Sequence, residues 1–280
     1  MTKVYFMRVG SDSNKENKDN EPVPFSMIVN KKLLFIPICS RTQEKIQQYS
    51  YNKLCEFETH KDMKKYFGKI NTKKDCLDFH LDPFLNFNGE GEFSYGDRKL
   101  NKNGENITKA IALEKFKDEK DSYLFFLATV VEPNENSLKE FEKEEWKKVR
   151  KKQKPRYMQK KLALIGYIKV IEVKIIDKNN INKEKPYIME KFKNNSHVKR
   201  NDFNRCIENP DQKLFFILGD PNKSEFLFKN YVILGESKNR HYELTKNGKK
   251  FFKNRKNSIG YRESSFWWDK DDLDMSKLLV

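Results

Sequence analysis

His80, Leu81 and Asp82 open the stretch HLDPFLNFNGEGEFSYGD in a chain with only four histidines. On an extended segment, an imidazole and a carboxylate two residues apart point to the same side. That is the local geometry of two metal ligands, or of a general acid/base whose tautomer a carboxylate fixes. A 2-His-1-carboxylate iron site would add His197 or His241, with Arg200 or Arg240 nearby to hold an acidic co-substrate. A nuclease would instead gather Asp82, Glu90, Glu92, Asp97 and Lys99 around a divalent cation. The residues also fit a solvated polar loop. Pro83, Gly89, Gly91 and Gly96 favour turns, so Tyr95-Gly96-Asp97 reads as a turn and His80 as its cap. No metal or cofactor is assigned from these residues.

Other stretches carry weaker chemistry. NSHVKR, Asn195 to Arg200, is a phosphate or base clamp on one reading and, on the other, a helix end where the dipole favours His, Lys and Arg. Gly219-Asp220-Pro221 with Ser224 lacks the spacing of a phosphate loop and reads as a turn, with Ser224 a helix N-cap. Trp267 and Trp268 suit base stacking, or a tail docking its aromatics on the core. The block Lys147 to Lys161 holds nine Lys or Arg and no acid, which suits gripping phosphates and equally a solvated helix end.

The elements that must position these residues follow from apolar patterning. Lys3 to Val9 reads as a first strand, followed by the solvated loop SDSNKENKDN. SMIVNKKLLFIPICS predicts a hairpin about Asn30-Lys31-Lys32 whose second strand carries Leu33 to Ile38 into the core. A helix is expected near Thr59 to Phe67. DSYLFFLATVV (Asp121 to Val131) and LALIGYIKVIEV (Leu162 to Val173) read as buried strands. Between them a long helix is expected from a capping box at Ser137 and Glu140, with Leu138, Phe141, Trp146 and Val149 on one face. A second helix is expected from Pro186 to about Lys199, then strands at KLFFILGD and YVILGE. Without regular βαβ alternation, the fold class is α+β: a mostly antiparallel sheet or small barrel with inserted helices.

A formal net charge of +16 gives a field that draws phosphate backbones, although an A/T-biased genome also yields lysine-rich chains. Four scattered cysteines without a CxxC pair suggest reduced thiols and a cytoplasmic location. The opening MTKVYFMRVG does not read as a signal peptide, and no apolar run is long enough for a membrane span.

Five pieces in order, VYFMRVGSDS, KLLFIPI, HLDP with SYGD, LIGYIKV, and SHVKR followed by GDPNKS, resemble the nucleotide modification associated domain type 3 family, candidate DNA base modification enzymes. The resemblance spans roughly residues 3 to 240. It departs from the family pattern at Phe84 after HLDP and at Lys120 before Asp121, and the charged helical segment at about 134–161 looks like an insertion. It implies one domain over residues 1–245 with a tail at 246–280 packed on it, DNA or a nucleotide as partner, and proteins encoded nearby as further partners. The two long apolar strands also look like the paired central strands of PUA-like barrels, which receive a modified base. On this reading His80, Asp82, Tyr95, Asp97 and His197 line a catalytic site. Arg200 and Lys199, with Lys147, Lys148, Arg150, Lys151, Lys152, Lys154 and Arg156, hold nucleic acid. A base-modifying enzyme, a non-catalytic reader of modified DNA or RNA, and a metal-dependent oxygenase or nuclease all remain open.

Overall fold

The computed structural model describes residues 2–9, 25–39, 49–50, 78–80, 82–86, 92–99, 113–116, 121–153, 158–199, 201–209, 212–227, 229–239, 241–260 and 265–277. The expected SDSNKENKDN loop and the helix near Thr59 to Phe67 lie outside them.

The chain opens with β1 (Lys3–Arg8). The hairpin β2 (Ser26–Val29) and β3 (Lys32–Leu34) turns at Asn30 and Lys31, whose φ values of 50 and 59 are both left-handed. Such a two-residue turn matches the twist of the strands it joins. Three short strands follow, β4 (Ile38–Cys39), β5 (Tyr49–Ser50) and β6 (Asp78–His80), and form a small separate sheet in the order β4-β6-β5. Next come β7 (Phe84–Leu85) and β8 (Phe93–Lys99). The loop expected over HLDPFLNFNGEGEFSYGD is therefore corrected: its described part is largely strand, and Phe93 to Gly96 are buried. The glycines misled because Gly96 sits inside a strand where another backbone segment approaches, a use of glycine that looks like a turn in sequence.

The two long apolar runs are β9 (Tyr123–Val131) and β10 (Lys160–Ile176), paired antiparallel from Lys160↔Val131 to Lys169↔Tyr123. β10 is the spine of the fold. Its other edge is shared between β13 (Val232–Lys238), which takes Lys161 to Leu164, and β11 (Lys213–Gly219), which takes Val170 to Ile176. Between them β12 (Glu225–Phe226) takes Gly166 and Tyr167. Register shifts occur along β10, and extra residues of this kind bend a strand and increase its twist. β1 and β2 both run parallel to β9, so the sheet is mixed although most pairs are antiparallel. β14 (His241–Leu244) and β15 (Ser258–Gly260) extend it beyond β13, and β16 (Ser265–Asp269) lies along β1. The result is an α+β fold, mostly strands, whose large sheet curls into a half-barrel. Curling brings Tyr95 of β8 onto Phe126 of β9, 5.7 Å between ring centres, across the two intervening strands β11 and β10. The concave interior holds the largest apolar cluster, including Tyr5, Phe35, Phe84, Tyr95, Phe126 and Ile165.

The expected long helix is two short ones. Asn134, not Ser137, caps α1 (Glu135–Phe141), its Oδ1 accepting from Ser137 N at 2.9 Å, and the chain reverses into α2 (Trp146–Lys152). Lys152 Nζ reaches Glu140 at 2.8 Å, whereas twelve residues of one continuous helix would separate them by about 18 Å. The fold-back buries both Phe141 and Val149, which one straight helix lying on this surface need not do. Gln153, fully buried, accepts from Phe25 N at 2.6 Å and ties the pair to the start of β2. The second expected helix starts earlier, as α3 (Ile181–Lys191) with Pro186 inside it, and breaks before α4 (Ser196–Lys199) and α5 (Phe203–Glu208). The last helix is α6 (Lys246–Phe251). No described helix is long and apolar enough to cross a membrane.

Gly166 tests the spine. A Cβ there would meet Leu85 Cδ1 at 2.6 Å and the Glu225 carbonyl oxygen at 2.7 Å. Gly166→Ala is expected to destabilise by about 1–3 kcal/mol, lowering Tm by roughly 2–4 °C per kcal/mol. An unchanged melting curve by circular dichroism would contradict the close approach.

Candidate functional site

The site grows from an unfinished ladder. β7 pairs with β8 only at Phe84↔Ser94 and Leu85↔Phe93, so the next inward N–H on that edge, Gly96, has no strand opposite. The Asp82 side chain takes its place: both carboxylate oxygens accept from Gly96 N, at 3.1 and 3.0 Å. Asp82 is 3 % exposed, and burying a charge is costly unless it is paired. The partner comes from α4. His197 Nε2 lies 3.5 Å from Asp82 Oδ2, and His197 Nδ1 lies 2.8 Å from Asp202 Oδ2, so one buried imidazole stands between two buried carboxylates. An ionised carboxylate only accepts, so with Asp202 ionised Nδ1 is the donor of that contact. His197 N also donates to Asn195 Oδ1 at 3.0 Å, which fixes the turn into α4. Position 96 must be glycine for this packing. A Cβ would fall 2.6 Å from His197 Cδ2 and 2.7 Å from Asn195 Oδ1.

Alternation along β8 sends Tyr95 and Asp97 into the concave interior. Tyr95 OH donates to Asp97 Oδ2 at 2.9 Å. Burial pushes the Tyr95 phenol well above its usual range, and the charges of Asp97 and Asp82 push the same way. It is therefore a donor at neutral pH, not a base. Tyr5 lies close enough for its phenol to feel Asp97, and is raised by burial above all. Around Tyr5 three rings meet: Tyr5 and Trp267 at 4.9 Å, Phe116 and Trp267 at 4.9 Å, Tyr5 and Phe116 at 6.1 Å edge-on. A polar seam of two phenols and a carboxylate thus borders an aromatic wall, with Asp97 and Trp267 its half-exposed members.

A third carboxylate holds the turn that carries His197. Glu92 Oε1 accepts from Asn194 N at 3.1 Å and from Ser94 Oγ at 3.2 Å, and Asn195 Nδ2 donates to Ser94 Oγ at 3.4 Å. Burial raises the Glu92 carboxyl to about 7, against the opposing effect of these donors.

The structure brings together four residues singled out in sequence, Asp82, Tyr95, Asp97 and His197. His80 lies on β6, paired with Ile38, and its side chain is outside the described residues. Arg200, Lys154, Arg156 and the side chain of Lys147 are outside them too. Lys199 ends α4, half-buried. The described part of the basic block is largely engaged: Lys148 pairs with Glu144, Lys152 with Glu140 and Glu144, and Arg150 lies over the Phe25 ring at 3.3 Å. Lys148, Lys151 and Lys152 line a groove of about 560 Å³ floored by Phe141 and Met158. His241 sits on β14 opposite Gly260. Among the described residues no group of three His, Cys, Asp or Glu is arranged to hold a metal ion. Ser224 is not a helix cap. Its hydroxyl accepts from Lys169 N at 3.0 Å beside β12. Trp267 and Trp268 lie on β16 against β1. Sequence reasoning missed Asp202, Tyr5 and Phe116, and read Asn195 as part of a clamp, whereas its side chain holds the turn into α4. Asp202, two residues past SHVKR, was the most findable, since a histidine bound for the interior needs a partner for its ring nitrogen.

A scan against protein-family models, a search of curated proteins and a search of solved structures each return no match.

Two substitutions check the site's electrostatics. His197→Ala leaves Asp82 and Asp202 buried without the imidazole between them, and is expected to cost about 3–5 kcal/mol in urea unfolding; a loss under about 1 kcal/mol would contradict the pairing. For Glu92 the folded carboxyl holds a proton that the unfolded chain has released between pH 4.5 and about 7. Its stabilising contribution is therefore present at low pH and fades as pH rises through that window. Glu92→Gln should remove roughly 1–3 kcal/mol of this pH dependence, read as a flatter plot of stability against pH; an unchanged slope would contradict it.

Proposed function

We propose that this chain is a DNA- or nucleotide-directed protein that binds or modifies a nucleobase at the seam built from the HLDP, SYGD and SHVKR segments. The observation that carries the reading is the convergence of these three segments on Gly96: Asp82 takes its amide, His197 packs over it on one face of β8, and Tyr95 and Asp97 flank it on the concave face. Each segment was singled out separately, and a joint site gives a common reason for all three. A flat base needs an aromatic face and a polar edge; half-exposed Trp267, packed on Tyr5, would supply the first and Asp97 the second. The curled sheet with β9 and β10 paired at its centre supports a PUA-like likeness, and ligands favour the mouths of such barrels. Lys151 and the lysines of the α1–α2 groove would meet phosphates.

The non-catalytic reader is the second reading, and one observation favours it. Both ring nitrogens of His197 face carboxylates, so the imidazole is engaged in holding the site and not turned toward a substrate. In the enzyme reading, proton transfer would fall to Asp97, the half-exposed carboxylate of the seam.

Mass spectrometry of nucleosides in DNA from cells expressing the wild type or Asp97→Ala, combined with nucleosides retained by the purified chain, tests the proposal. A nucleoside that is gained, lost or retained in a manner requiring Asp97 is the expected result. If no nucleoside is changed and none is retained, the proposal is overturned.

A further inference from the structure

The geometry points to a second ligand site, in the groove between α1 and α2: it takes a singly charged organic anion with an aliphatic body, the chemistry of a medium-chain carboxylate. The groove shares no lining residue with the seam, so the inference goes beyond the nucleobase reading and does not rest on it.

The fold-back of the two helices sets the walls. Ser137, Glu140 and Phe141 are spaced i, i+3, i+4 along α1, and Lys148, Lys151 and Lys152 have the same spacing along α2, so each helix turns one face to the groove. Met158, ahead of β10, joins Phe141 in the floor. Size decides the kind of ligand. The volume of about 560 Å³ is that of a small-molecule site, for which about 300–1,000 Å³ is usual, whereas a protein partner would engage about 20–30 residues a side. Charge decides the head. Glu144 pairs with Lys148 and Lys152 at 3.3 Å each, and Glu140 with Lys152 at 2.8 Å, so two carboxylates face three ammonium groups. Lys151 makes no ion pair or hydrogen bond among the described residues, which leaves one positive charge uncompensated. Glu140 shows that a carboxylate suits these lysines, and an exposed pair of this kind contributes little, so a ligand's carboxylate displaces it readily. The floor decides the body. Phe141 and Met158 offer apolar surface and an adaptable thioether, which a flexible chain fills. A phosphodiester would satisfy Lys151 and leave that floor unused.

Isothermal titration calorimetry of the full chain with decanoate, kept below its micelle concentration, tests this. Butyrate serves as the short chain, decanol as the uncharged chain and a short oligothymidylate as the phosphate source. Decanoate should bind at least about tenfold tighter than butyrate or decanol. Lys151 is exposed and Met158 half-buried, so both can be replaced without opening the core. Lys151→Glu and Met158→Gln should each weaken decanoate binding by about tenfold or more, with the melting transition still cooperative. Decanol binding as tightly as decanoate, a decanoate affinity unchanged by either variant, or no decanoate binding at millimolar concentration would overturn the inference. Oligothymidylate bound through Lys151 with decanoate excluded would overturn it as well, and would give the groove to phosphates alone.

Discussion

The carboxylate of Asp82 is the constraint on which the rest of the site depends. A charge so deeply buried is stable only where hydrogen bonds and an opposite or shared charge surround it. It finds two things: the Gly96 amide left open beyond the start of β7, and the His197 imidazole backed by Asp202. Each demand propagates. The amide requires β8 to overhang β7, the imidazole requires the turn at Asn195, and the close approach of both requires a residue without a side chain at position 96. The Asp82-Pro83 peptide is cis, and the carboxylate lies just before it at the head of β7.

The half-barrel explains why such a cluster lies inside the fold and not on a loop. β10 spans both halves of the sheet, paired with β9 along its first part and with β11 along its last. Because the sheet curls about this strand, the interior face of β8 looks across at β9 and β1. Tyr95 then meets Phe126, and Asp97 comes within electrostatic reach of Tyr5. The polar seam is thus set by strand register on one side and by an edge strand, β16, on the other. Trp267 enters because its register partner is Tyr5.

Much of the fold was legible in the sequence wherever the pattern was a continuous apolar run. β9, β10, β11 and the β2–β3 hairpin follow from runs of aromatic and β-branched residues bounded by polar turns. What misled was glycine and charge. Gly89, Gly91 and Gly96 suggested a loop, yet Gly96 serves close packing under a histidine. The α1–α2 segment read as one helix because its apolar spacing is continuous, while the reversal depends on Lys152 reaching back to Glu140, a contact with no local signature. For the site, residue types pointed to Asp82, Tyr95, Asp97 and His197. The roles did not follow, since whether an imidazole faces a substrate or a second carboxylate is decided by strand register and by the turn at Asn195. The aromatic wall was half visible, as Trp267 in a tail, and its neighbours Tyr5 and Phe116 are ordinary core residues by pattern.

The claim that Asp97 and Trp267 border one ligand site is tested most directly by NMR of the isotopically labelled full chain during titration with free nucleosides. The chain has three tryptophans, so its indole N–H signals are few and separable. The account predicts that the Trp267 indole and the Asp97 amide shift together and saturate at one concentration. Shifts confined to surface lysine-rich segments, or a Trp267 signal that stays in place while others move, would contradict it.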